Sequence, residues 1–248
     1  MIYYVMNPLI QSKVNLYTLE RTMKVFSFTL FGSLDRYCKG MIINIKEIEK
    51  RFSDFYIWIY IANDVPQTYI DEFYRHPNVK LIFTDYKNDT AKMCRFLPID
   101  DPDVELMIVR DADSRVYFRD ETSVRDFMSS SKLFHIIRDH RVHTIPILGG
   151  LWGAKKGCFD FKIKDALEYF FQNITPKEKC EYEDDQNFLR KMIYPSVVDN
   201  ALIQDEYHQG FEPPSMHTPI SRPRVFPDFI GQIYMFDENG NEYTVCGP

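Results

Sequence analysis

The sequence predicts an α/β fold with a mostly parallel central sheet, and three observations predict it. Apolar runs alternate with amphipathic stretches through the first half of the chain, one of those runs is apolar at nearly every position, and an acidic triplet follows directly on another. Alternating strands and helices imply right-handed crossovers that return successive strands to one sheet.

Residues Val25 to Phe31 form the first strand, closed by Gly32. Tyr37, Met41, Ile45, Ile48 and Phe52 then recur three and four apart, the stripe of an amphipathic helix. Phe55 to Ile61 suits a central strand covered on both faces. Pro66 opens a helix reaching about Tyr74, since proline is at home in a first helical turn. Val79 to Phe83 is a third strand, Thr90 to Leu97 a helical turn or two, and Val104 to Val109 a fourth strand. A helix near Ser123 to Met128 and a strand over Leu133 to Ile137 follow. His143 to Gly153 reads as a loop, because Pro146, Gly149 and Gly150 punctuate any regular element. Helices are expected over Ile163 to Gln172 and Asp185 to Ile193, each with one apolar face. Beyond residue 210 a proline-rich stretch wraps the surface before a last strand or hairpin around Phe229 to Asp237, with Asn239 and Gly240 as a turn.

The 248 residues suit one domain with a single core, and no linker or repeat divides them. Hydrophobic residues at 45% exclude a disordered chain, and 15% aromatics favour thick packed layers or a ring-lined pocket. A formal charge of −6 excludes nucleic acid or an anionic membrane as the main partner. Five scattered cysteines without Cys-x-x-Cys spacing indicate neither a disulfide framework nor a zinc site. No apolar run spans a bilayer and no signal peptide opens the chain, so the expected location is cytoplasmic.

Two Asp-x-Asp triplets occur, and chance alone accounts for that number. Position separates them. Asp111 and Asp113 follow the fourth strand, at the end where open α/β sheets bind ligands, whereas Asp101 and Asp103 precede it. Two carboxylates at the tip of a buried strand repel one another and cost desolvation unless a cation neutralises them. Mn²⁺ or Mg²⁺ does so, completing its shell with phosphate oxygens. The competing reading is a solvated turn in which Asp113 caps a helix or pairs with Arg110 or Arg115. A second acidic cluster, Glu183 to Gln186, opens a helix; Asp184 or Asp185 is a candidate base for an acceptor hydroxyl, and N-terminal capping is the alternative. Gly149 and Gly150 leave room for a ligand that side chains would fill. Trp152 either stacks on a sugar or lies buried. His143 and Arg138 are weaker candidates for acceptor or diphosphate contacts.

A strand ending in Asp111-Ala112-Asp113, preceded by strand-helix units and followed by Gly149-Gly150 and the acidic Glu183-Asp184-Asp185-Gln186 helix start, resembles the GT-A-fold glycosyltransferases. The resemblance is in particular to the small soluble ones of large algal DNA viruses, and it spans roughly residues 24 to 210. It implies transfer from a nucleotide-diphosphate sugar, a UDP-sugar favoured, to a glycan acceptor such as one on a viral capsid glycoprotein, in host cytoplasm. It implies that Asp111 meets the ribose or the metal and that Asp113 chelates the metal, and it leaves the stereochemistry open, because in retaining relatives the region of Asp185 and Gln186 resembles an Asp-Gln stretch that hydrogen-bonds the donor sugar. Thr29, Leu30, Phe31 and Gly32 would cradle the base, and Lys92 and Arg95 would face the nucleotide or phosphate. Many such enzymes complete the metal shell with a late histidine, for which His208 is the candidate and His217 the reserve. On this reading residues 1–22 are an extension, 24–115 the nucleotide-sugar half and 116–248 the acceptor and catalytic half. The rivals are a nucleotidyltransferase acting on sugar phosphates, which would want a better phosphate loop than Gly32 to Asp35, and a non-catalytic nucleotide- or carbohydrate-binding module.

Overall fold

The structure, a computed structural model, describes residues 22–85, 88–176, 179–225 and 228–245. The expected extension over 1–22 lies, but for Thr22, outside the described residues. Nine strands and the helices between them run in the order β1 (Met23–Leu30), α1 (Asp35–Arg51), β2 (Phe55–Ala62), α2 (Gln67–Phe73), β3 (Val79–Thr84) and α3 (Asn88–Lys92), which continues as a 3-10 helix over Met93–Asp100. Then come β4 (Val104–Val109), α4 (Phe118–Ser129), β5 (Phe134–Arg138), β6 (Trp152–Lys155), α5 (Ile163–Asn173), α6 (Asp184–Phe188), β7 (Ala201–Asp205), β8 (Tyr234–Phe236) and β9 (Glu242–Thr244).

Seven strands form one sheet in the order β3-β2-β1-β4-β6-β5-β7. All neighbours are parallel except those of β6, which runs antiparallel to both β4 and β5. Strands β8 and β9 make a separate hairpin. The expected strands and helices of the first half lie within a few residues of their places. Two strands, β6 and β7, went unread: Trp152 to Lys155 fell at the end of the glycine-rich stretch, and Ala201 to Asp205 is a short run just behind a helix.

The period of two along a strand sorts β1 between two cores. Phe26, Phe28 and Leu30 pack with α1, α2 and α4 on one face of the sheet. Val25 packs on the other face with Met107, Val109, Phe134 and Trp152, beneath α5 and α6. Trp152 is fully buried, in edge contact with Phe96 and stacked on Phe134, both at 5.3 Å, so of its two readings the core one holds.

Helix α1 lies directly against the loop that follows β4. Buried Asn44 donates to the carbonyls of Ala112 (3.3 Å) and Ser114 (2.8 Å) and accepts the backbone N–H of Val116 (3.2 Å). One turn earlier Gly40 meets the same loop so closely that a Cβ there would stand 2.4 Å from the Ala112 carbonyl oxygen and 2.8 Å from a guanidinium nitrogen of Arg115. Ordinarily Gly to Ala inside a helix gains about 1 kcal/mol. Here overpacking, which costs about 1–3 kcal/mol, opposes that gain. Gly40→Ala is therefore expected to lower Tm by up to about 8 °C, a net loss of up to about 2 kcal/mol at this size; thermal unfolding showing a higher Tm would mean the loop is not seated on α1.

Candidate active site

The chain runs from β1 outward through β2 and β3, then returns to β4 on the other side of β1. Such a reversal of strand order opens a crevice at the strands' carboxyl ends. A cleft of about 270 Å³ lies there. Thr29, Phe31, Tyr37, Lys92 and Tyr182 contribute to its lining together with the charged set Arg95, Asp111, Asp113 and Asp185. The remainder comes largely from the segments 142–151 and 229–233.

The two aspartates after β4 differ sharply in setting. The Asp111 side chain is 43% exposed and accepts a 2.5 Å hydrogen bond from Arg95. Asp113 is buried, and among the described residues the one cation within 4.0 Å of its carboxylate is Arg36, at that limit. Neither Arg110 nor Arg115 forms an ion pair with it: Arg110 is buried against Asp120 at 2.6 Å, and Arg115, which pairs with Glu242 at 2.7 Å, acts on it only at longer range. Burial first, then the neighbouring Asp111 charge, pushes the Asp113 carboxyl up to about 6. A carboxylate so poorly compensated suits a divalent cation, with Asp111 exposed beside it as a second oxygen ligand.

Arg95 joins this pair to the second acidic cluster. Its guanidinium bonds Asp111 and, at 3.0 Å, Asp185. Burial works against the Arg95 charge, but the two carboxylates outweigh it and hold its pKa above the ordinary value. Asp185 is raised, by burial first and by Asp111, while Arg95 pulls the other way. Both glycines of the intervening loop pack directly against the charged set, and Gly150 also lies against the Asp111 backbone, whose N would be 2.9 Å from a Cβ there. A Cβ on Gly149 would stand 2.4 Å from Asp185 Oδ2, and one on Gly150 would stand 2.1 Å from Asp111 Oδ2.

Several sequence expectations are corrected by position. Leu30 points into the α1 core, one step out of phase with Thr29 and Phe31 on the cleft. Gly32 is not on the cleft lining; its N–H donates to Asp64 at 2.8 Å. Asp184 turns inward, accepting from the Glu181 backbone N–H (2.8 Å) and the Asn187 side-chain amide (3.1 Å), and is off the cleft lining where a base would stand. His208 is off the cleft lining and sits against His217, Nδ1 to Nδ1 at 2.8 Å. Asp205, Glu212 and His217 do gather ligand atoms within 4.8 Å. Buried Arg138 already compensates both carboxylates, at 2.8 Å and 2.5 Å, so Arg138 is also structural rather than a diphosphate ligand. Sequence reasoning passed over Tyr37, Tyr182 and Phe229, Tyr37 because it belongs to an apolar helical stripe, whereas Gln186 lines the cleft beside Asp185.

No protein-family model matches the chain, and no curated protein matches it by sequence. Solved structures do resemble it. A glycosyltransferase involved in glycosylation of the major capsid of PBCV-1 is 13% identical over 74% of this chain and 81% of its own, with a TM-score of 0.48. The galactosyltransferase LgtC, solved with donor and acceptor sugar analogues, is 14% identical over 73% of each chain, with a TM-score of 0.47. The apo-form glycosyltransferase GlyE of Streptococcus pneumoniae TIGR4 is 13% identical over 73% of this chain and 45% of its own, with a TM-score of 0.50. This chain thus spans less than half of GlyE. At such identities the likeness is one of architecture: the chain has a GT-A-like α/β fold with a seven-stranded, mostly parallel sheet.

Proposed function

We propose that the protein is a metal-dependent glycosyltransferase that moves a sugar from a UDP- or GDP-sugar to a glycan acceptor. The observation that carries this reading is the under-neutralised Asp113, paired with exposed Asp111 at the end of β4 and linked through Arg95 to Asp185 within one cleft. Asp111 and Asp113 would hold Mn²⁺ or Mg²⁺. Such an ion supplies charge stabilisation on the departing diphosphate.

The protein's own groups do the rest. Lys92 and Arg95 place positive charge where the diphosphate would lie, and Thr29, Phe31 and Tyr37 give the nucleotide a mixed polar and aromatic lining. Asp185, its pKa raised by burial, is placed to accept the acceptor hydroxyl's proton, while Gly149 leaves its Oδ2 reachable. The rival nucleotidyltransferase reading needs a phosphate loop after the first strand, and there Gly32 spends its N–H on Asp64. No helix among the described residues is long and apolar enough to cross a membrane.

Asp113 makes a two-sided prediction. A carboxyl whose folded pKa lies above its ordinary 3.8 adds stability below that value and loses it as pH rises through about 6. Metal-free Asp113→Asn should therefore be more stable than the wild type at pH 7.5, by on the order of 1–3 kcal/mol, with the advantage fading by about pH 4. Adding Mn²⁺ with UDP should raise the wild-type Tm and leave Asp113→Asn unmoved; paired melting curves at the two pH values check both halves. Asp185→Asn is expected to lower the transfer rate by about 10²-fold or more while Mn²⁺ and UDP still bind, which steady-state kinetics and calorimetry would separate. Unaltered turnover in that variant would remove Asp185 from the mechanism.

A further inference from the structure

The segments 142–151 and 229–233 give the cleft a lining with a single polar side chain, His143, set among Val142, Leu148, Leu151, Phe229 and Ile233. His143 is buried, and its ring is fixed on two sides. The backbone N–H of Asp139 donates to Nδ1 at 3.0 Å, and the ring meets Phe229 edge to face at 5.7 Å. Phe229 is itself backed by His140, stacked at 4.0 Å. Because Nδ1 accepts, the imidazole proton must sit on Nε2. Among the described residues no protein acceptor meets Nε2, and the atom is not sealed from solvent. Burial first, then His140 and Arg224, lowers the ring's pKa to about 3, so it stays neutral at any working pH.

A neutral donor on an apolar floor selects its ligand by chemistry. It offers nothing to an ammonium group and no charge to a carboxylate or phosphate, but it suits an uncharged oxygen on a molecule with a C–H face. We propose that His143 is the acceptor-reading residue: its Nε2–H donates to one hydroxyl of a neutral pyranoside whose C–H face lies on Val142, Leu148, Leu151 and Phe229. This rests on the reading of the cleft as a sugar-transfer site, and it adds a specificity-determining residue to it.

The test separates the ring's two nitrogens. In His143→Asn the amide oxygen can still accept the Asp139 N–H, but nothing reaches the Nε2 position; His143→Gln carries an amide N–H out to that position. Binding of methyl hexopyranosides to the full chain with Mn²⁺ and UDP is followed by saturation-transfer NMR, alongside consumption of UDP- and GDP-sugars without any glycoside. At least one methyl hexopyranoside should bind the wild type, weaken about 3- to 15-fold in His143→Asn, and stay within about threefold in His143→Gln. Unchanged glycoside affinity in His143→Asn, equal weakening in both variants, or no glycoside binding to the wild type would each overturn the proposal. Glycoside binding that depends on His143 in a protein that consumes no nucleotide sugar would instead overturn the transfer reading and leave this subsite standing.

Discussion

The site depends on one electrostatic constraint: a carboxylate, Asp113, held in a buried loop with a single distant ion-pair partner among the described residues, Arg36 at 4.0 Å. Such a group raises its own proton affinity unless something else compensates it. The protein holds the loop in place all the same. Asn44 ties down the carbonyls of Ala112 and Ser114, Gly40 lets α1 approach, and the backbone N–H of Tyr234 bonds the Asp113 carbonyl at 2.9 Å. The scaffold thus stabilises the loop's backbone while leaving its charge unsatisfied. That division of labour is what a metal-binding loop requires, because a fully paired carboxylate has little left to offer a cation.

The same fold shows what satisfied buried charge looks like. Arg110 spends three nitrogens on Asp120 and the Val109 carbonyl, all within 2.9 Å, and Arg138 is enclosed by Asp205, Glu212 and the Pro146 carbonyl. Removing one partner from such a set costs about 3–5 kcal/mol, since the other charge is stranded. These clusters brace the ends of β4 and β5. Residue type alone cannot tell Asp205, Glu212 and His217 from a metal centre; the arginine inserted between the two carboxylates does.

How far the site could be read beforehand follows from the physics of each element. Strand β2 announces itself because both faces are covered and its sequence is apolar nearly throughout, and β1 and β4 because apolar residues dominate theirs. Placing Asp111 and Asp113 at the end of β4 was then a matter of counting, and Arg95, Gly149 and Asp185 converge on them as their order suggested. Strand β6 escaped notice because Gly153 sits within it; its Cβ position is only 2.8 Å from Ile108 Cδ1, so glycine there serves packing rather than a turn. Leu30 was misplaced because a four-residue motif was taken whole, although alternate residues of a strand face opposite sides. His208 was misplaced because a late histidine says nothing about which partner it meets. The second acidic pair illustrates the limit: Asp184 and Asp185 are adjacent and chemically alike, and only the path of the helix start turns one inward to Glu181 and Asn187 and the other toward Arg95.

The end of the chain has a larger part than its composition suggested. A proline-rich stretch and a short hairpin look like surface wrapping, yet Ile230 donates to Asp139, Tyr234 bonds the Asp113 loop, and Glu242 pairs with Arg115 across a separation of 127 residues. Gly231 and Ile233 lie between the first two of those anchors, Phe229 directly precedes them, and all three line the cleft. A segment tied at both ends to the loops after β4 and β5 cannot shift without moving the Asp113 backbone or the Asp139 carboxylate. Since Asp139 also positions His143 through its backbone N–H, the geometry of the charged lining and that of the apolar lining are mechanically joined. The charged and apolar parts of the cleft therefore share one supporting stretch, residues 228 to 234, and are better regarded as one site than as neighbours.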